Sequence, residues 1–258
     1  GSKNSDRYQY TLPYYNFYQN LTPIIEENSI NGGLNFSSSG SNTLKDTNNL
    51  NTTITNNLNY NSADYISSLG FKNNFGLYFK NLNSMGKKSS IYTPSAQIDG
   101  MNIIKIDTSY PLLKLNDVVR ETLTPKISFR VNPVNNMNDY SGSSASINAS
   151  NAFDINRLGI SNDFEAGRSL TFGLDYKFDK LEEYLDQNID DEDIKDKYLE
   201  FKLATVIRDQ FESEIPSSST INRKNSNLFG SIENKLLDNA NFSYSFSLDN
   251  DMKTINSN

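Results

Sequence analysis

The chain has 258 residues, a net charge of −7, no histidine and no cysteine. Those absences exclude imidazole bases, Ser-His-Asp and Cys-His nucleophiles, disulfides, and thiolate or imidazole metal sites within the chain. The acidic balance, with a sequence pI near 4.8, argues against a phosphate-backbone binder, which needs a basic stripe to release counterions. Only 36% of the residues are hydrophobic and the mean hydropathy is −0.62, thin for a dense soluble core.

No run approaches the roughly 18 consecutive apolar residues of a membrane-spanning helix. Hydrophobicity spread over alternate positions is still compatible with a barrel wall, and the aromatic content, 15 Tyr and 15 Phe, suits strands and interface girdles.

The first strand expected is Arg7 to Phe17, with Tyr8, Tyr10, Leu12 and Tyr14 on one face and Pro13 where no ladder donor is needed. Gly32 to Ser39 follows, then Asn49 to Tyr60, whose face of Leu50, Thr52, Ile54, Leu58 and Tyr60 is interrupted by Asn56. Gly70 to Leu82 offers Phe75, Leu77 and Phe79, and Met101 to Tyr110 aligns Ile104, Ile106, Thr108 and Tyr110. Pro111 to Glu121 reads as a turn. Thr122 to Asn132 sets Ile127, Phe129 and Val131 against Lys126, Ser128 and Arg130.

An Asn/Ser/Gly tract from Pro133 to Ser150 has the composition of a solvated loop and opens a long connection over 133–168, expected to be extracellular. The clearest alternation follows at Ser169 to Phe178: Leu170, Phe172, Leu174, Tyr176 and Phe178 interleave with Ser169, Thr171, Gly173, Asp175 and Lys177. Residues 179–197 form an acidic insertion, a short helix or an extended loop. Its run Asp190-Asp191-Glu192-Asp193 lacks the ligand order and the turn glycine of a calcium loop. Phe201 to Ile207, Asn225 to Leu236 and Asn241 to Leu248 complete the series, the last presenting Phe242, Tyr244, Phe246 and Leu248.

About ten neighbouring strands of period two define an all-β, antiparallel, up-and-down fold. Connections at Ser41 to Asn48, Asn83 to Ser95, Pro133 to Arg168 and Phe211 to Lys224 alternate with mostly shorter ones, as outer-membrane barrels alternate external loops with periplasmic turns. The expectation is a single partial transmembrane β-barrel segment over 1–258, not closed within the chain. The start at Gly1-Ser2-Lys3, without an initiator Met, and the end at Lys253 to Asn258, directly after a strand pattern, suit a fragment.

Several motifs sharpen this expectation. Arg7-Tyr8-Gln9-Tyr10-Thr11-Leu12-Pro13-Tyr14-Tyr15-Asn16-Phe17, then Gly33-Leu34-Asn35-Phe36 and Leu123-Thr124-Pro125-Lys126-Ile127, precede Asn151-Ala152-Phe153-Asp154-Ile155-Asn156-Arg157-Leu158, Glu165-Ala166-Gly167 and Phe172-Gly173-Leu174. In order and rough spacing this resembles the C-terminal barrel region of the lipopolysaccharide-assembly family LptD. The residues carrying the resemblance are Arg7, Pro13, Asn16, Pro125, Asn156, Arg157, Glu165, Gly167 and Gly173. One departure is Asn162-Asp163 where the family has an Asp-Arg pair, which removes any salt bridge carried by that arginine.

The resemblance implies a bacterial outer-membrane translocon that inserts lipopolysaccharide into the outer leaflet without enzymatic chemistry or a cofactor. Its implied partners are the lipoprotein plug LptE, periplasmic lipopolysaccharide-bridge proteins and outer-membrane lipids. A periplasmic jellyroll and the lateral-gate strands would be the missing pieces.

On a barrel reading Lys126, Arg130, Asp175 and Lys177 line the lumen as a possible substrate path, although ordinary solvated strand faces look alike. Ile127, Phe129, Leu170, Phe172, Leu174, Phe242, Tyr244 and Phe246 face lipid, and Tyr8, Tyr60, Tyr110, Tyr176 and Phe178 are girdle candidates. Asn156-Arg157 with Glu165 reads as a loop-folding set rather than a binding site. The alternatives are a general porin or uptake barrel, a secreted β-sandwich adhesin whose apolar faces pack on each other, and a carboxylate-dependent glycosidase, for which no acid–base pair stands out.

Overall fold

The computed structural model describes residues 9–21, 32–45, 48–133, 146–159, 165–181, 197–237, 240–249 and 254–257. Arg7, Tyr8, the Asn162-Asp163 departure and the body of the acidic insertion lie outside them.

The described residues are all-β and form one antiparallel sheet. Its elements are β1 (Gln9–Asn20), β2 (Gly32–Lys45), β3 (Asn49–Ser62), β4 (Tyr65–Ile66), β5 (Lys72–Lys87), β6 (Gln97–Ser109), β7 (Leu112–Leu115), β8 (Val119–Asn132), β9 (Gly167–Lys180), β10 (Lys197–Arg208), β11 (Leu228–Leu237), β12 (Ala240–Leu248) and β13 (Thr254–Ser257). The 13-stranded sheet runs β1-β2-β3-β5-β6-β8-β9-β10-β11-β12-β13, with β4 appended to β5 and β7 to β8. Each main strand pairs with its predecessor and successor, and β1 does not meet β13 among the described residues, so this is an open, partial barrel-type meander.

Two features decide the register. The β8–β9 ladder is unbroken from Val119↔Lys180 to Asn132↔Gly167, and β9–β10 from Lys180↔Lys197 to Ser169↔Arg208. Since side chains alternate at period two, one register fixes the face of every residue in all three strands. Pro125 falls where β8 changes partner from β6 to β7. Its carbonyl accepts from the Tyr110 amide at 3.0 Å, so the donor that proline lacks points into the break between the two short pairings.

The sheet is inside-out relative to a soluble sandwich. The face carrying Ile127, Phe129, Leu170, Phe172, Leu174 and Phe242 is not packed against a second sheet: Phe172 is 39% and Phe242 57% exposed. Across β8–β10 the opposite face is covered by loops, with Ser128 2%, Thr171 2% and Arg130 4% exposed. Water drives apolar surface inward, so a sheet that buries serine, threonine and arginine while presenting Leu77, Phe79, Ile104 and Ile106 outward suits an apolar surrounding. The loop-covered face is called inward below.

Local expectations required three corrections. On β1 the ladder shifts between Thr11 and Tyr14, a bulge that absorbs Leu12-Pro13. Tyr14 therefore changes face: the outward row is Tyr10, Tyr15 and Phe17, while Tyr14 and Tyr18 pair with the inward Ser41 and Ser37. Ser41 to Asn48 is not a loop, because β2 and β3 stay paired to Lys45↔Asn49, and β5 likewise continues to Lys87. The loop-length asymmetry loses one member, since hydroxyl and amide side chains that look loop-like in sequence pair with one another across the strands. Third, Pro111 to Glu121 is a small hairpin, β7 on the start of β8, closed by Asn116 Oδ1 accepting from the Val119 amide at 2.7 Å.

Asn56, the interruption in the outward row of β3, is also accounted for. Ser38 Oγ donates to its Oδ1 at 2.7 Å, and its Nδ2 donates to Asn81 Oδ1 at 3.1 Å. With the Thr52–Asn42 and Asn83–Asn81 hydrogen bonds on the same face, these polar groups satisfy one another across β2, β3 and β5.

Candidate functional site

Residues 146–159 and 209–227 pack on the inward face of β8–β10. Residues 148–151 form a reciprocal turn in which Asn148 Oδ1 accepts from the Ser150 and Asn151 amides, each at 2.9 Å, and Asn151 Oδ1 accepts from the Asn148 amide at 2.9 Å. That turn presents Ile147, Ala149 and Ala152 to Ala204, Val206 and Phe229 of the wall, joined by Ile215 and Ile221 from the 209–227 connection. Small inward residues on β10 leave room for this cluster. Among the described residues the larger apolar cluster therefore lies between the wall's strands and its own loops.

Beneath the core sits a buried ionic knot centred on Glu165. Arg157 grips it at both ends, Nε to Oε2 at 2.7 Å and Nη2 to Oε1 at 2.5 Å. Arg130 of β8 adds Nη1 to Oε2 at 2.8 Å, and Arg208 of β10 reaches Oε1. The remaining donors capture backbone: Arg157 Nη1 donates to Ala152 O at 3.1 Å, Arg130 Nη2 to Ile155 O at 3.1 Å, Arg208 Nη1 to Ala166 O at 2.9 Å, and Arg208 Nε to Ile221 O. Arg157 also donates to Thr171 Oγ1 at 3.0 Å and Ser169 Oγ at 2.9 Å on β9. Three wall strands and both loops are thereby tied at one point.

Burial pulls the Arg157 guanidinium down from its ordinary value to about 9. It stays charged at neutral pH, where the carboxylate holds it. Desolvating such a cluster offsets much of its Coulombic gain, so its main contribution is to fix loop position rather than to add stability.

Two glycines seat the loops. Gly167 has a φ of +79°, and a Cβ there would meet Glu212 Oε1. Gly173 lies under the ring of Phe153: an added Cβ would be 2.6 Å from Phe153 Cζ and 3.0 Å from Lys126 Cε. The Lys126 ammonium stands 4.3 Å from that ring's centroid.

Beside Phe153 is an open cavity of about 270 Å³ that also involves Lys72, Lys105 and Lys126. Each lysine is matched to a carboxylate: Asp64 at 2.8 Å, Asp107 at 2.6 Å and Asp175 at 2.7 Å. This polar floor suits contact with charged or hydroxylated groups. No cluster of three or more potential metal ligands occurs among the described residues.

Of the sequence-derived candidates, Lys126, Arg130, Asp175 and Lys177 are all on the inward face, but in three settings. Lys126 and Asp175 pair in the cavity wall, Lys177 pairs with Asp179 at 2.8 Å, and Arg130 is sealed beneath the loops. Ile127, Phe129, Leu170, Phe172, Leu174, Phe242, Tyr244 and Phe246 share the outward face. Among the motif residues, Arg157, Glu165, Gly167 and Gly173 converge on the loop seat. The Asn156 carbonyl accepts from the Gly159 amide at 3.0 Å to close the turn after Arg157. Pro13 and Asn16 are distant, on β1.

Sequence reasoning missed Arg208 and the hydroxyls of Ser169 and Thr171 as partners of the knot. Arg208 had a signal: it has inward parity at the end of β10, opposite the apolar row ending in Ile207. No protein-family model and no curated protein matches the chain.

Proposed function

We propose that this chain is part of an outer-membrane translocon that assembles lipopolysaccharide at the cell surface, moving the glycolipid without covalent chemistry. The observation that carries the membrane part of the reading is the reversed amphipathicity: exposed Phe172, Leu170 and Ile104 outward, buried Ser128, Thr171 and Arg130 inward. It disfavours the adhesin sandwich, whose Ile127, Phe172 and Phe242 would meet in a dry centre. The glycolipid part rests on the motif resemblance, and the convergence of Arg157, Glu165, Gly167 and Gly173 on one loop seat gives those motifs a common physical purpose.

In this reading the inward face solvates the sugar moiety while the acyl chains remain with lipid on the outward side. The latched loops narrow the lumen, and further strands, a lipoprotein plug such as LptE and periplasmic bridge proteins complete the machine. The test is photocrosslinking in cells, in the full-length protein that carries this chain, from Asp175 and from its outward neighbour Leu174. Lipopolysaccharide adducts from Asp175 and not from Leu174 are expected. Absence of adducts from every inward position would overturn the proposal.

A further inference from the structure

We propose that the inward face of β1–β3 is a contact surface for an uncharged, hydroxyl-rich oligosaccharide, an inference that rests on the glycolipid reading above. The inward wall divides into two chemically different halves. From β6 to β11 it is built on ion pairs, including Lys105–Asp107, Lys126–Asp175, Lys202–Glu200 and Lys235–Glu233. Across β1–β3 the inward positions are hydroxyls, amides and tyrosines, and the one charge, Lys45, is at the strand end.

These side chains pair with one another across the strands. Asn57 Nδ2 donates to Ser37 Oγ at 3.1 Å, the Ser41 and Thr53 hydroxyls are 3.1 Å apart, and Tyr18 donates to Asn35 Oδ1 at 2.8 Å. Among the described residues the loops packed on β8–β10 do not reach it: the apolar clusters beneath them involve β5, β6, β10 and β11, while β2 and β3 stay largely half-buried.

A wet lumen alone does not account for the division, because the same water bathes the half that is rich in charge. Amides and hydroxyls both donate and accept, as sugar hydroxyls do, and the Tyr14 and Tyr18 rings offer flat apolar faces for sugar C–H groups. A phosphorylated sugar would find only Lys45, at the strand end, on this face, and Lys80 of β5, opposite Asn57 at its border, is buried; the ion-paired lysines lie further along the wall. The neutral part of the glycan therefore runs along β1–β3.

The experiment uses the full-length protein carrying this chain, in detergent, with photoreactive residues at Ser39 or Thr55 on the neutral half, Lys202 on the charged half, or Leu58 outward. The probes are a tagged neutral hexasaccharide and the same hexasaccharide bearing a phosphomonoester. The neutral probe is expected to label Ser39 and Thr55 about tenfold more than Lys202 or Leu58, and N57A is expected to cut labelling at Ser39 several-fold, the loss of one or two hydrogen bonds. Equal labelling of Ser39 by both probes, or neutral labelling confined to Lys202, would overturn the inference. If either occurs while Asp175 still gives lipopolysaccharide adducts in cells, only this inference falls. Loss of all inward adducts in cells removes the proposed function, and this inference with it.

Discussion

Arg157 and Glu165 face each other as a two-point pair, 2.7 Å and 2.5 Å between their facing atoms, both nearly sealed from water and both supplied by the same inward-folded connection. Their pairing closes that connection on itself, and Arg130 and Arg208 then fasten the closed loop to the wall. Glu165 is the shared acceptor, which makes it the most sensitive point of the inward face.

Glu165→Gln should therefore do more than remove one ion pair. It leaves three guanidinium groups around a neutral amide, and breaking a buried ionic cluster on one side typically costs about 3–5 kcal/mol. The expected outcome is a wall that still assembles while residues 146–159 become cleavable by protease in the reconstituted protein. Arg157→Lys should share this phenotype, because an ammonium cannot span both carboxylate oxygens and reach Ala152, Thr171 and Ser169. Unchanged proteolysis of both variants would show that the apolar cluster alone holds the loop.

The Phe153–Gly173 contact predicts a compensating pair. Gly173→Ala places a methyl 2.6 Å from Phe153 Cζ, so the ring and the loop must move. An overpacking penalty of about 1–3 kcal/mol is expected. Phe153→Ala should relieve most of it in the double variant, and a double-mutant cycle on thermal unfolding measures the coupling. Additive effects would mean that the two residues do not meet.

Face assignment predicts an asymmetry between sequence neighbours. Phe172→Arg puts a charge on the outward row, where about 2–4 kcal/mol of destabilisation at mid-membrane depth is typical for a barrel. Asp175→Asn, on the inward side, should be nearly silent in assembly because it exchanges one half-exposed ion pair for a hydrogen bond. Folding yield into lipid vesicles checks both. Equal yields for the two variants would remove the distinction between the faces.

The latched loops should also limit passive flux. In planar bilayers the full-length protein carrying this chain is expected to conduct weakly, and deletion of residues 146–159 to raise conductance severalfold by uncovering the inward face of β8–β10. High conductance before deletion would favour the porin alternative.

The sequence by itself determined most of the long strands and which of their residues share a face, because period-two alternation is a local property and needs no partner to be read. Ser169 to Phe178 is the clearest case: its parity puts Asp175 and Phe172 on opposite faces before any pairing is known. Which face is buried is not a local property, since one alternation serves a sandwich or a barrel wall, and only the single sheet with an uncovered Phe172 distinguishes them. The bulge at Leu12-Pro13, which turns Tyr14 inward, and the extension of β2 and β3 through Ser41 to Lys45 depended on neighbouring strands. The knot was half legible: Arg157 and Glu165 are near in sequence and could be paired on paper. Arg130 and Arg208, far away along the chain, reach the same carboxylate only because β8, β9 and β10 are adjacent and residues 146–159, between β8 and β9, pack on the inward face.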